Sequence, residues 1–169
     1  MQLQLQREFK EGQKRHYLNG ILTVIHCHHY SSLMTQLADD ARGWNAPELL
    51  KDAFAEATYE TLDKYFKEHN IQDIQSKVAV AEEYFRIFGL GKLQLNIEKK
   101  FAELVFSHID EGWQSKWGSS EYPVNFVGQG FIAAAFALIT GSALSSVKVQ
   151  EIQSIVCGAA TSQFNISQA

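Results

Sequence analysis

Apolar positions recur along this chain with two different periods. From about Glu11 or Lys14 to about Asp40, Leu18, Ile21, Leu22, Ile25 and Leu33 are spaced so that a helix turning about 100° per residue places them on one face. Gly43 ends that pattern. Asn45-Ala46-Pro47-Glu48 then opens another, with Asn45 as a capping side chain, Pro47 suited to a first turn and Glu48 able to complete a capping box. The second predicted helix runs to about His69 and buries Leu50, Ala53, Phe54, Ala57, Thr61, Leu62 and Tyr65. A third starts near Asp73, carries Val78, Ala81, Tyr84, Phe85 and Phe88, and stops at Gly89-Leu90-Gly91. Residues 2–9 alternate too briefly to predict more than a terminal strand or a lead-in.

Beyond Gly91 the period falls to two. Leu93, Leu95 and Ile97 alternate with polar residues, and after Glu98-Lys99-Lys100 so do Ala102, Leu104 and Phe106, which predicts an antiparallel hairpin with one buried face. Trp113 and Trp117, four apart in the polar stretch from His108 to Glu121, suit a short helix or the lip of a pocket. Pro123 opens a hydrophobic helix from Val124 to about Leu138, closed by Thr140-Gly141-Ser142. Gly128 and Gly130 inside it lower intrinsic helix stability by about 1 kcal/mol each relative to Ala, so close backbone packing or room for a ligand is the expected offset. A last hairpin spans Val147 to Ile166, and one strand of it puts Glu151 on the same face as Val147 and Val149, directing a carboxylate into apolar surroundings. The predicted architecture is a single α+β domain over residues 1–169: three N-terminal helices, an antiparallel hairpin, a helix and a second hairpin.

Composition narrows the function. A chain of 169 residues, 46% hydrophobic and 20% charged, can bury one real core. Its net charge of −4 argues against a nucleic-acid partner, which calls for clustered Lys and Arg. The longest apolar run, Phe131 to Ile139, is about half of what a membrane span requires. The two cysteines, Cys27 and Cys157, have neither disulfide-framework nor CxxC spacing, and a reducing cytoplasm is the expected location.

Candidate chemistry concentrates at His26-Cys27-His28-His29-Tyr30. On a helix His29 falls in the middle of the apolar stripe, His26 lies beside Leu33 and Leu37, and Cys27 points away. The four side chains cannot then meet on one ion, and at most His26 and His29 share a metal. A buried histidine held by an ordinary hydrogen bond is the alternative.

Three stretches resemble the 4-vinyl reductase domain family. They are Phe88-Gly89-Leu90-Gly91-Lys92-Leu93-Gln94-Leu95, similar to its glycine-punctuated strand entry; Pro123-Val124-Asn125-Phe126-Val127-Gly128-Gln129-Gly130, similar to its glycine helix; and Glu151-Ile152-Gln153-Ser154 through Gly158 to Ser162-Gln163-Phe164. The resemblance is strongest over residues 85–168. Relatives of the family include the sensor domains of aromatic-responsive transcription activators and, in fold, the small TRAPP tethering subunits. What the resemblance implies is a homodimer, to which Ala133-Ala134-Ala135 offers a close helix contact, and a small-molecule pocket between the N-terminal helices and the sheet. Zinc-containing members hold the metal with three cysteines and a glutamate. Those positions look here like Asn125, Glu151, Ser154 and Ser162, so zinc is not expected and the site is expected to be metal-free, with Asn125, Ser154 and Ser162 able to hydrogen-bond Glu151 instead.

The leading expectation is a cytoplasmic small-molecule-binding module that holds a hydrophobic, aromatic or tetrapyrrole-like ligand against His26, His29, Tyr30, Leu33, Phe85 and Trp113. A second is an enzyme or cofactor carrier in which His26 and His29, with Glu82, Glu83, His108 or Asp110, hold a transition metal or heme iron. A third is a tethering or scaffold subunit.

Overall fold

The computed structural model describes residue 3 and residues 5–24 and 26–168. Ile25, placed above on the first apolar face, and Gln2 and Gln4 of the lead-in lie outside these.

The chain opens with three short antiparallel strands, β1 (Arg7–Lys10), β2 (Arg15–Leu18) and β3 (Ile21–Thr23), in the order β1-β2-β3. This corrects the helix expected from Glu11 or Lys14. The cause is local: Asn19 and Gly20 take positive φ angles of 49° and 72°, the two-residue hairpin turn for which Asn-Gly is the strongest short-range signal. Leu18 pairs with Ile21 across it. The first helix, α1 (His28–Asp40), begins only after the extended segment that holds His26 and Cys27.

Two long helices follow, α2 (Ala46–Glu68) and α3 (Ile74–Ile87). Asp73 caps α3 by accepting the Ser76 N–H at 2.8 Å. Asn45, by contrast, sits at φ 59° and makes no capping bond with its side chain. The buried stripe of α2 runs through Ala55, Thr58, Thr61, Leu62, Tyr65 and Phe66, while Ala53 and Ala57 of the expected stripe are exposed. Packing against a helix later in the chain sets this rotation, as Gly130 shows below.

The main sheet has the order β4-β5-β7-β6, from β4 (Gly91–Asn96), β5 (Phe101–Ser107), β6 (Val147–Gln153) and β7 (Ser162–Gln168). Leu93, Leu95, Ala102, Leu104, Phe164 and Ile166 fill its inner face. Phe106, expected among them, is exposed, because the β4–β5 register shifts between Lys92 and Leu93 and turns the end of β5 over. Between β5 and β6 lie α4 (His108–Trp117) and α5 (Phe126–Thr140). Buried over most of its length, α5 packs between α2 and β6. A Cβ at Gly130 would run into the Lys51 carbonyl oxygen of α2 and come within 3.0 Å of the Phe54 Cβ, so close backbone packing is what this glycine provides. The fold is α+β, with a strand-rich start ahead of the helices. No helix among the described residues is long and apolar enough to cross a membrane.

Candidate functional site

Asn125, Glu151, Ser154 and Ser162, the positions that the resemblance set beside zinc ligands, lie in one buried cluster with Ser107 at the end of β5 and Asp110 of α4. Asn125, just before α5, is the hub. Its Oδ1 accepts the Gly128 N–H at 2.8 Å and caps the helix. Its Nδ2 donates to Ser107 Oγ at 3.0 Å and to Asp110 Oδ2 at 3.1 Å, and its backbone N–H donates to Glu151 Oε2 at 3.0 Å. Ser162 Oγ donates to Asp110 Oδ2 at 3.1 Å and accepts the Ile155 N–H at 2.9 Å. Ser107 accepts the Asp110 N–H, the start-of-helix pattern that puts a carboxylate in the first turn of α4. All six side chains, Ser107, Asp110, Asn125, Glu151, Ser154 and Ser162, are buried.

Two carboxylates therefore share a site whose hydrogen-bond donors are neutral. Burial pushes Glu151 up to about 7, with the neighbouring Asp110 charge adding to it, and burial likewise raises Asp110. Asp110 Oδ1, Glu151 Oε1 and Ser154 Oγ are buried without a hydrogen bond, as is the indole nitrogen of Trp113 one turn along α4. An amide, three hydroxyls and two carboxylates offer neither the thiolate nor the imidazole that zinc favours. Cys157, in the turn after β6, is an exposed residue whose thiol is partly covered, and that covering together with both carboxylates raises its pKa, away from the thiolate form.

The sequence pointed to Glu151 as a buried carboxylate, and the structure shows it hydrogen-bonded; the partner is the Asn125 backbone, while the Asn125 and Ser162 side chains serve Asp110. Asp110 was not recognised as Glu151's neighbour. The local signal was Ser107-x-x-Asp110 at the strand-to-helix junction.

The residues expected to share a ligand pocket fall in three places. His26, His29, Tyr30 and Leu33 are exposed on and before the first half of α1, with the His26 ring stacked on Tyr30 at 4.1 Å and His29 against His28 at 4.1 Å. This corrects the inward aim of His29, which rested on a helix continuing back through residues 18–25. Phe85 is in the main core, edge-on to Phe131 at 5.0 Å. Trp113 is in a second apolar cluster with Ala38, Val124, Phe126 and Val156. Over this cluster lies α1, whose Ser32 Oγ donates to the Ile109 carbonyl at 3.0 Å and whose His28 faces Gly112. The further metal ligands considered are engaged elsewhere: Glu82 accepts the Leu95 N–H, Glu83 pairs with Arg86 and His108 with Glu111. Among the described residues no group of three or more His, Cys, Asp or Glu side chains is placed to hold one ion. A concavity of about 980 Å³ lies between α2, α5 and the β6 edge, with Asp52, Glu56 and Lys148 on its walls.

No family model and no curated protein matches the chain. Among solved structures it is similar to the phenol-responsive sensory domain of the transcription activator PoxR, determined with phenol: the TM-score is 0.75 at 13% sequence identity, over 96% of this chain and 84% of that one. The two chains thus share a fold with few residues in common.

Proposed function

We propose that this chain is a small-molecule-binding sensory module of the 4-vinyl reductase domain kind, acting in the cytoplasm as a homodimer. The observation that supports it best is Trp113: a buried indole N–H with no acceptor, in a fold shared with a domain that responds to phenol. An unpaired buried donor costs about 1–3 kcal/mol, which an oxygen on a bound ligand would offset. Ala38, Val124, Phe126, Val156 and Trp117 supply apolar walls around that donor, and α1 is the cover. In this reading His26, His29, Tyr30 and Leu33 form the outer approach, and Phe85, which packs in the main core, is not part of the wall. Of the hydrophobic, aromatic and tetrapyrrole-like classes, a single-ring aromatic with a hydroxyl group is favoured, because α1 lies directly on α4.

Titration with phenol and methyl-substituted phenols, followed by calorimetry, tests this. Saturable binding is expected, about tenfold or more weaker in Trp113→Phe, which keeps the ring and removes the donor. Absence of binding in the wild type, or equal affinity in Trp113→Phe, would overturn the assignment.

A further inference from the structure

The concavity between α2, α5 and β6 shares no lining residue with the buried carboxylate cluster or with the apolar cluster around Trp113. Gln129 of α5 lines it. This residue is only 6% exposed, and its amide makes no hydrogen bond with any described residue. A covered amide without partners is costly, and one that lines an opening suits a ligand that brings both a donor and an acceptor. From α2 come Asp52 and Glu56, both exposed and neither in an ion pair or hydrogen bond among the described residues. Glu48 on the same wall is already bonded to Lys51 at 2.6 Å.

The remaining wall is β6, an edge strand of the main sheet. It pairs with β7 on one side, and on the other the backbone of Lys148, Val149 and Gln150 has no partner among the described residues. An open edge is a template for a further strand. The opposite edge of the sheet is treated differently: the Leu95 N–H of β4 is taken by the Glu82 carboxylate at 2.8 Å, a side chain in the place of a neighbouring strand. Spacing along the walls fits an extended chain. Asp52 and Glu56, four residues apart on α2, are separated by a rise of about 6 Å, and alternate side chains of a strand by about 6.6–6.8 Å.

We propose that the open edge of β6 takes up, by strand addition, an extended segment of a partner protein that carries Lys or Arg at alternate positions. The β6 backbone supplies main-chain bonds, Gln129 binds a peptide group of the segment, and Asp52 and Glu56 pair with its cations. Lys148 is exposed and faces the other way along β6 from Val147 and Val149, so neutral or acidic residues fit best at the intervening positions. A second copy of this chain, paired edge to edge through its own β6, is the poorer occupant, because Val147–Gln153 carries one lysine and no alternating cations.

The test titrates the full chain, at low ionic strength and by fluorescence anisotropy, with a labelled, end-blocked peptide in which lysine alternates with threonine. Its companions are the same peptide with glutamate for lysine, the same peptide with its backbone amides N-methylated, and free spermine as a competitor. Saturable binding of the lysine peptide is expected, about tenfold or more weaker after N-methylation. In the double variant Asp52→Asn with Glu56→Gln, both at exposed positions, binding should be about threefold to tenfold weaker, and in the wild type it should fall as salt rises. Gln129→Met, which keeps the length of the side chain and removes the amide, should bind several-fold more weakly while melting no lower than the wild type. The proposal is overturned by any of four results: no saturable binding, equal affinity for the glutamate or N-methylated peptide, affinity unchanged in both variants, or spermine binding as tightly as the peptide, which would mark a site for cations alone. Light scattering completes the test: a dimer that the peptide converts to monomer would assign the β6 edge to a second copy and overturn the proposal as well.

Discussion

One buried hydrogen bond, from Asn19 Nδ2 to Tyr84 Oη at 2.6 Å, ties the turn of the N-terminal sheet to α3. Asn19 also accepts the Gln6 N–H at 2.9 Å, so this side chain braces the strands on one side and the helix on the other. Tyr84→Phe should lower unfolding stability by about 1–2 kcal/mol, read as a shift in the denaturant midpoint, because Asn19 loses its partner in a buried place. Burial pushes Tyr84 up to about 12 from an ordinary 10.0. A folded value above the unfolded one means that the contribution is complete below about pH 10 and lost as pH rises toward about 12. Wild type should therefore lose stability across that alkaline window more steeply than Tyr84→Phe, which chemical denaturation at a series of pH values would show. Asn125 is the other residue on which much depends. Asn125→Ala removes the cap of α5 and two donors to Ser107 and Asp110, and should cost about 2–4 kcal/mol in the same assay.

Among the described elements, α2 and α5 share the most extensive contact, and Gly130 lets their backbones approach. Gly130→Ala should destabilise by about 1–3 kcal/mol through overpacking against Lys51 and Phe54. Gly43→Ala, with nothing within 4 Å of an added Cβ, is the matched control and should change the melting temperature little. The long helices, the β4–β5 hairpin and the β6–β7 pair were legible in the sequence because each carries its own period over many residues. The first three strands were not. They are three or four residues long, too short for alternation to register, and their apolar residues happened to fall at helical spacing. Asn19-Gly20 was the contrary signal, and its turn chemistry outweighed the spacing.

For the whole molecule, the N-terminal sheet raises the question of what covers it. Every residue of β1 is exposed, Phe9 at 46%, and Leu22 and Val24 nearby at 52% and 67%. A small sheet without a buried face is marginal by itself. Leu33 and Leu37 of α1 are exposed as well, at 38% and 52%. Ala134 and Ala135, offered by the sequence as a dimer contact, are buried inside the chain; in the proposed homodimer these exposed faces meet a second copy instead. Light scattering after size exclusion should give twice the chain mass for the wild type and the monomer mass for Leu22→Glu with Val24→Glu; a monomeric wild type would remove the dimer from the functional reading.

From the sequence alone came the α+β class, the α2 and α3 helices, both main-sheet hairpins and the buried Glu151, since each rests on local periodicity or on residue type at a given position. Tertiary structure decided the rest. Residues 107, 110, 125, 151, 154 and 162 come from separate segments, and no spacing in the chain shows that Asp110 will lie beside Glu151 or that Asn125 will serve both. Likewise His29 was given a direction by a helical phase that the Asn19-Gly20 turn interrupts, so its exposure follows from where α1 begins. Periodicity reports which face of an element is apolar; which elements meet, and which polar atoms are left without partners inside, is settled only when the whole chain packs.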